Sequence, residues 1–126
     1  MIQKLMRKLW EVESVALVGF TLLYPIIRIF VPPKRLIRPF VKFVKEDYVV
    51  ADLGCASGYY TFALAELVGP EGKVYAVDKN KKSIRVLEKK IEKDGYCNIE
   101  AHASSAADLS FIKDSTVDFV LASGLL

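Results

Sequence analysis

The sequence predicts an α/β protein built on a doubly wound parallel sheet. Apolar stretches of strand length, at residues 48–53, 74–77, 98–103 and 117–122, are separated by stretches with helical periodicity or by loops. A glycine-containing turn joins the first of these strands to a helix, and the second strand leads directly to Asp78. Because alternating strands and helices connect parallel neighbours by right-handed crossovers, these observations favour a single parallel sheet.

The first strand and the turn after it predict a ligand site. Residues 48–53 are almost continuously apolar, as is typical of a strand buried on both faces. Gly54 and Gly58 bound the turn, and a helix is predicted over residues 59–68. A strand that opens through glycines into a helix leaves backbone N–H groups free and lets a ligand approach the main chain.

The second helix is predicted over residues 82–93. Ile84, Leu87 and Ile91 recur at i, i+3 and i+7 and form a narrow apolar stripe, and Asp94-Gly95 marks the end of the helix. The third and fourth strands follow it, so the sheet is expected to contain four strands.

Composition limits the function classes. The chain has 126 residues, enough for one domain with a core, and it is 52% hydrophobic with a net charge of +3. Its basic residues form no patch interleaved with aromatic residues, so nucleic-acid binding is not predicted. Cys55 and Cys97 have neither C-x-x-C nor histidine spacing, which predicts reduced thiols in a cytoplasmic protein and no metal site.

The position of Asp52 indicates the class of ligand. A dinucleotide turn has G-x-G-x-x-G spacing, whereas here a carboxylate precedes Gly54 and would repel a pyrophosphate. A cationic ligand with an amino group and no phosphate is compatible with that carboxylate. S-adenosylmethionine (SAM) has a sulfonium, an α-ammonium, a carboxylate for the free N–H groups and a ribose for Asp78.

Two segments then carry a family resemblance. DLGCASG at residues 52–58 and VGPEGKVYAVD at residues 68–78 resemble the class I SAM-dependent methyltransferases, in the small-molecule and quinone-biosynthesis branch. The resemblance runs from about residue 32 to the C-terminus. It implies a Rossmann-like sheet whose strands, counted along the chain, lie in the order 3-2-1-4. Three further strands that the family would add are absent from the 126 residues, so the sheet is expected to be incomplete.

The resemblance also implies which residues contact SAM. These cofactor-binding residues are Asp52, Gly54, Cys55, Ala56, Gly58, Asp78, Lys79, Ser104, Ser105 and Ser123. Two of them depart from the family pattern. Ala56 replaces a glycine, which is tolerable if the local φ is negative, and narrows the channel beside the methionine part. Ser105 replaces a carboxylate near the adenine amino group and is a weaker acceptor.

Each assignment has a structural alternative. Asp52 could cap backbone N–H groups, and Asp78 could be a solvated strand end. Ser123 is equally consistent with contacting the cofactor and with a structural role. Cys55 is expected to fill a tight turn rather than react, and His102 to be structural. One of the residues at 59–61 could touch the cofactor. No catalytic residue is nominated, because the acceptor-side residues are missing.

The N-terminal 40 residues are predicted as a separate helical segment, before a SAM-binding half-domain at 41–126. Residues 1–13 have an amphipathic pattern. Residues 15–31 are apolar but interrupted by Gly19, Pro25 and Arg28, too short and broken for a bilayer span. These helices are expected to pack on the sheet or on a partner. Basic flanks make peripheral membrane contact through residues 1–31 the alternative.

The predicted function is methyl transfer from SAM to a small, lipophilic acceptor by direct in-line displacement. The alternative is a non-catalytic SAM-binding or fold-remnant module that acts through oligomerisation or membrane association. The fourth strand would be an open edge, which proteins rarely leave bare. A partner chain, a swapped element or the N-terminal segment could cover it, so a homo-oligomer is expected.

Overall fold

The computed structural model describes residues 14–17 and 38–123. The strands are β1 (Ser14–Leu17), β2 (Val49–Leu53), β3 (Lys73–Asp78), β4 (Ile99–Ala103) and β5 (Phe119–Ala122). The α-helices are α1 (Thr61–Val68) and α2 (Lys81–Asp94), and a 3-10 helix covers Arg38–Phe43. Among these residues, no helix is both long enough and apolar enough to cross a bilayer.

The strands form one parallel sheet in the order β1-β5-β2-β3-β4. Strands β2 to β5 are the four predicted strands, so the predicted order 3-2-1-4 is confirmed. Asp52 pairs with Ala76 on one side and Leu121 on the other, which places β2 at the centre of the sheet.

Strand β1 corrects part of the N-terminal prediction. Ser14 pairs with Phe119 and Leu17 pairs with Ala122, so this segment is a strand where the sequence predicted helix. The unpaired N–H and C=O groups of β5 favour an added strand, and this tertiary pairing overrides weak local propensity. Of the three predicted covers for that edge, the structure shows the N-terminal segment. The amphipathic pattern at 1–13 and the rest of the apolar run lie outside the described residues.

Both helices pack on one face of the sheet. Leu64 and Val68 of α1 lie in a cluster with Val50, Phe119 and Leu121, all of them buried. The other face is covered by the connection between β4 and β5. That connection places Leu109 and Ile112 against Leu53, Val77 and Val120.

Side-chain caps fix the helices that border the site. Asn80 accepts hydrogen bonds from the amides of Lys82 and Ser83 (3.0 and 3.2 Å), which satisfies donors at the start of α2. Gly95 ends α2 in the left-handed conformation, as predicted. Asn98 caps the other helix, since its Nδ2 donates to carbonyl oxygens of Ala65 and Gly69 (2.9 and 2.8 Å).

Candidate functional site

A cleft lies where the carboxyl ends of neighbouring strands meet. In open parallel sheets this edge is the usual place for ligands. The cleft has a volume of about 180 Å³. It is lined by Gly54, Val77, Asp78, Lys79, Ser104, Ser105 and Ala106. Five of the ten residues predicted to bind the cofactor therefore surround one cavity.

The turn after β2 folds back onto the tip of β3. The amides of Gly54 and Cys55 both donate to the carbonyl oxygen of Val77 (2.8 and 3.1 Å), and Gly58 donates to the carbonyl of Cys55. The amide of Ala56 donates to Asp78 Oδ2 at 2.9 Å. The prediction of free N–H groups is therefore wrong for these four residues. The donors of Gly54, Cys55 and Ala56 fasten the turn to β3, and that of Gly58 closes the turn on itself.

Ala56 adopts the left-handed conformation, with φ of 52°. The prediction that alanine is tolerable here required a negative φ, and that condition is not met. A Cβ atom in this region costs about 1–2 kcal/mol, because it approaches the following carbonyl oxygen. The hydrogen bond from the Ala56 amide to Asp78 helps to hold the residue in this conformation.

Asp52 is a fully buried carboxyl at the end of β2. Its Oδ2 accepts a hydrogen bond from the Thr61 hydroxyl at 2.8 Å, and its Oδ1 is buried with no hydrogen-bond partner. Burial raises the pKa of Asp52 to about 7, with the Thr61 hydrogen bond lowering it and the nearby Asp78 raising it. Sequence analysis missed this pairing of Asp52 with Thr61. The signal for it was a hydroxyl at the first position of a helix that follows the carboxylate across a short turn.

Asp78 lines the cleft at the tip of β3. Its Oδ1 accepts a hydrogen bond from the backbone N–H of Asn80 at 2.8 Å, and its Oδ2 accepts one from the backbone N–H of Ala56. A carboxylate has about four acceptor sites, so both oxygens retain capacity for another donor. Asp78 is half-buried and organised by two loops, which argues against a freely solvated strand end.

The serines at the site differ in whether their hydroxyl groups already make hydrogen bonds. Ser104 Oγ donates to the Asp108 carbonyl at 2.9 Å, and Ser105 Oγ accepts from the Ala107 amide at 3.2 Å. Ser123 is only 5% exposed, and its Oγ has no hydrogen-bond partner. It directly follows β5, on the same face of the sheet as Asp52 by strand alternation. Asp52 Oδ1 on β2 and Ser123 Oγ, directly after the adjacent strand β5, are thus both buried oxygens without partners.

Cys55 and His102 have surroundings that suit structural roles. Burial raises the pKa of the Cys55 thiol, and the carboxylates of Asp52 and Asp78 raise it further, so the thiol stays protonated. The His102 ring stacks on Phe111 with centroids 3.7 Å apart. Its Nε2 lies 3.2 Å from Glu100 Oε1, but without hydrogen-bond geometry. In the described part of the chain, no cluster of three or more potential metal ligands occurs.

Comparison with known proteins agrees with this architecture. Residues 44–126 match a family model described as a methyltransferase domain. Demethylmenaquinone methyltransferases from Geobacillus stearothermophilus and Bacillus velezensis are 39% and 38% identical over 77 residues, which is 61% of this chain. A SAM-dependent methyltransferase structure from Aquifex aeolicus superposes with a TM-score of 0.64 and 31% identity, over 75% of this chain.

The matches cover only part of each relative. The matched segment is 32% of the Geobacillus protein and 33% of the Bacillus protein, and the superposition covers 49% of the Aquifex chain. The chain therefore spans about a third of the length of the curated relatives that it matches.

Proposed function

The chain belongs to the class I SAM-dependent methyltransferase family, and from that premise we propose that its cleft binds SAM for methyl transfer to a small acceptor. The observation that carries the proposal is the buried, unpartnered Oδ1 of Asp52, which lies two residues before Gly54 of the cleft that Asp78 also lines. A buried carboxylate oxygen without a donor is costly and marks a place for a cationic donor. The family's cofactor carries such a donor in its α-ammonium group.

The residues fit the cofactor in three places. Asp52 Oδ1, with Ser123 Oγ after the adjacent strand, would receive the ammonium group. Asp78 would accept from the ribose hydroxyls with its remaining lone pairs. Ser104 and Ser105 line the cleft where the base would lie, although their hydroxyl groups already have loop partners. Lys79 lines the same cleft, and Gly54 leaves its floor without a side chain.

When bound, SAM supplies a methyl group already activated by a positively charged sulfur. The task of this chain's residues is to bind, to orient and to exclude water, because proximity and orientation provide much of the rate of such a transfer. The fastened turn and the hydrogen-bonded Asp78 are suited to that task, since both are held before a ligand arrives. No general base is assigned.

The proposed acceptor is a small lipophilic molecule of the quinone type. The support is the activity for which the relatives are named, since they are demethylmenaquinone methyltransferases. A non-catalytic module is the weaker alternative, because the ends of three strands, β2, β3 and β4, still assemble the cleft. Homo-oligomerisation stays a prediction, and β1 removes part of the reason for it by covering β5. A cytoplasmic location also stays a prediction, consistent with two free cysteines.

We expect calorimetric titration to show binding of SAM and S-adenosylhomocysteine that is lost in Asp78→Ala. This variant removes acceptors for the ribose hydroxyls. Each lost hydrogen bond to a charged group costs about 1.5–3 kcal/mol, so the affinity should fall more than tenfold. Asp94→Ala, at the exposed far end of α2, is the matched control and should bind normally. Absence of heat with both ligands in a folded wild-type sample would contradict the proposal.

The proposal includes peripheral contact with an anionic membrane, through residues 1–31 and the 3-10 helix. Val41 and Phe43 are each 43% exposed, and Arg38, Lys42 and Lys45 around them are exposed bases. Apolar side chains flanked by bases are typical of surfaces that insert into anionic headgroups.

We expect the chain to sediment with phosphatidylglycerol-containing vesicles at low salt, and less with phosphatidylcholine alone. Phe43→Ser should weaken this binding about tenfold, since it removes an apolar side chain worth about 1.5–3 kcal/mol when fully buried. Val86→Ser changes a side chain of similar exposure on α2 and serves as the control. Equal losses in the two variants, or no sedimentation of the wild type, would argue against contact at this surface.

A further inference from the structure

The hydrogen bond between Thr61 and Asp52 joins the first residue of α1 to β2. Both side chains are completely buried, and the Thr61 hydroxyl donates to Oδ2 of Asp52 at 2.8 Å. A carboxyl with one oxygen held in this way has a fixed rotation. The other oxygen, Oδ1, is then fixed in a single orientation and has no hydrogen-bond partner.

This hydrogen bond also acts on the charge of Asp52. Burial opposes ionisation, and Asp78 at the tip of β3 opposes it further by like charge. The other titratable group beside it is the Cys55 thiol, whose pKa is raised so that it stays neutral. Among these influences, the Thr61 hydroxyl is the one that favours the ionised form of Asp52.

We infer that Thr61 is a positioning residue for the cofactor: it holds Asp52 ionised, with Oδ1 presented to the cofactor's ammonium group. The inference rests on the proposed function, since it concerns the same site. Cofactor affinity should then follow the ionisation of a single buried carboxyl. Because its pKa is about 7, affinity should rise with pH across neutrality. This dependence should be confined to ligands that carry the ammonium group.

The sign of the linkage supports a role in binding rather than in stability. The pKa of Asp52 rises from 3.8 to about 7 on folding, so the folded state binds the proton more tightly. Its contribution to stability is therefore fully present below pH 3.8 and is lost as the pH rises through about 7. At neutral pH an ionised Asp52 destabilises the protein without ligand, and a bound ammonium group would offset that cost.

The test compares two ligands over pH 5.5 to 8 on the full chain. S-adenosylhomocysteine carries the ammonium group, and 5′-methylthioadenosine has the same nucleoside without it. The pKa of Asp52 is measured in parallel by carboxyl ¹³C NMR of aspartate-labelled protein. In the wild type, affinity for the first ligand should rise with a midpoint at the NMR pKa, and affinity for the second should stay flat.

A graded series at Thr61 then isolates its role. Thr61→Val should raise both the midpoint of the affinity curve and the NMR pKa of Asp52 by about one pH unit. This is the size expected for one lost hydrogen bond to a carboxylate. Thr61→Ser keeps the hydroxyl and should behave like the wild type. Thr61→Cys retains a weaker donor and should give an intermediate shift. It also carries the test if the valine variant fails to fold.

The outcomes separate the inference from the proposed function. Methylthioadenosine binding that stays normal in Thr61→Val, with the shifted midpoints, would support the inference. Unchanged midpoints in Thr61→Val and Thr61→Cys, or the same pH dependence for both ligands, would overturn it while leaving the cofactor site intact. Failure of both nucleosides to bind folded wild-type protein would overturn the proposed function and the inference with it.

Discussion

Gly72→Ala is expected to destabilise the protein by about 3 kcal/mol, the upper part of the usual range for overpacking. An added Cβ would lie 2.5 Å from Val68 Cβ, 2.7 Å from the Val68 carbonyl oxygen and 2.8 Å from the Tyr48 carbonyl oxygen. Two of these atoms belong to the backbone and cannot move by changing a rotamer. The Tyr48 carbonyl also accepts the hydrogen bond from Lys73 that starts β3, so a shift there would disturb the sheet.

Urea denaturation of Gly72→Ala beside Gly95→Ala would separate steric from conformational cost. A Cβ at Gly95 meets no atom within 4 Å, but the residue has φ of 72° and ψ of 28°. Its replacement by alanine should therefore lower the free energy of unfolding by only about 1 kcal/mol, because a Cβ atom is unfavourable in the left-handed conformation. Equal losses in the two variants would show that crowding is not the main cause of the loss at Gly72.

The second large effect is expected at Gly58, in the turn beside the cleft. Gly58 has φ of 102°, and an added Cβ would lie 2.6 Å from Leu87 Cδ1 and 2.7 Å from Phe62 Cε2. The left-handed conformation and the two close contacts add, so Gly58→Ala should destabilise the protein by about 2–3 kcal/mol. The affected atoms are side-chain ends, which can yield more readily than the backbone atoms around Gly72.

A double-mutant cycle with Leu87→Val tests this account by denaturant unfolding. Valine lacks the Cδ1 atom and leaves room for the new methyl group. The combined variant should then lose at least about 0.5 kcal/mol less than the sum of the single losses, as is usual for residues in contact. Strict additivity would mean that Leu87 is not what excludes a side chain at Gly58.

The sheet was largely predictable because its signals are local. Strand β2 was predicted one residue too long at its start, and α2 was predicted within one residue at each end. A buried parallel strand is a continuous apolar run between turn residues, and Gly95 supplies a stop signal that depends only on backbone conformation. The strand order followed from the family resemblance rather than from any single residue.

The errors concern features that depend on distant partners. The four residues of β1 are a strand because β5 lies beside them, and no local pattern distinguishes that from an apolar helix. The positive φ of Ala56 accompanies a hydrogen bond from its amide to Asp78, which lies 22 residues away in the sequence.

The sequence predicted which residues form the site better than it predicted the contacts between them. The motif identified Asp52 and Asp78, and both lie at the predicted edge of the sheet. It could not show that Thr61 would hold one oxygen of Asp52, because that contact depends on how α1 docks after the turn. Nor could it show that the donors of the turn would be used within the protein, as those of Gly54 and Cys55 are.

The pairing of β1 with β5 has a consequence for how the chain folds during synthesis. Ser14 emerges from the ribosome 105 residues before its partner Phe119. At about 5–20 residues per second, β1 waits about 5–20 s without a neighbour. Strands β2 and β3 can pair much sooner, since Val49 and Lys73 are only 24 residues apart. The sheet should therefore grow outward from β2 and β3, with β1 docking last. Until then the unpaired backbone groups and apolar residues of β1 are open to chaperones.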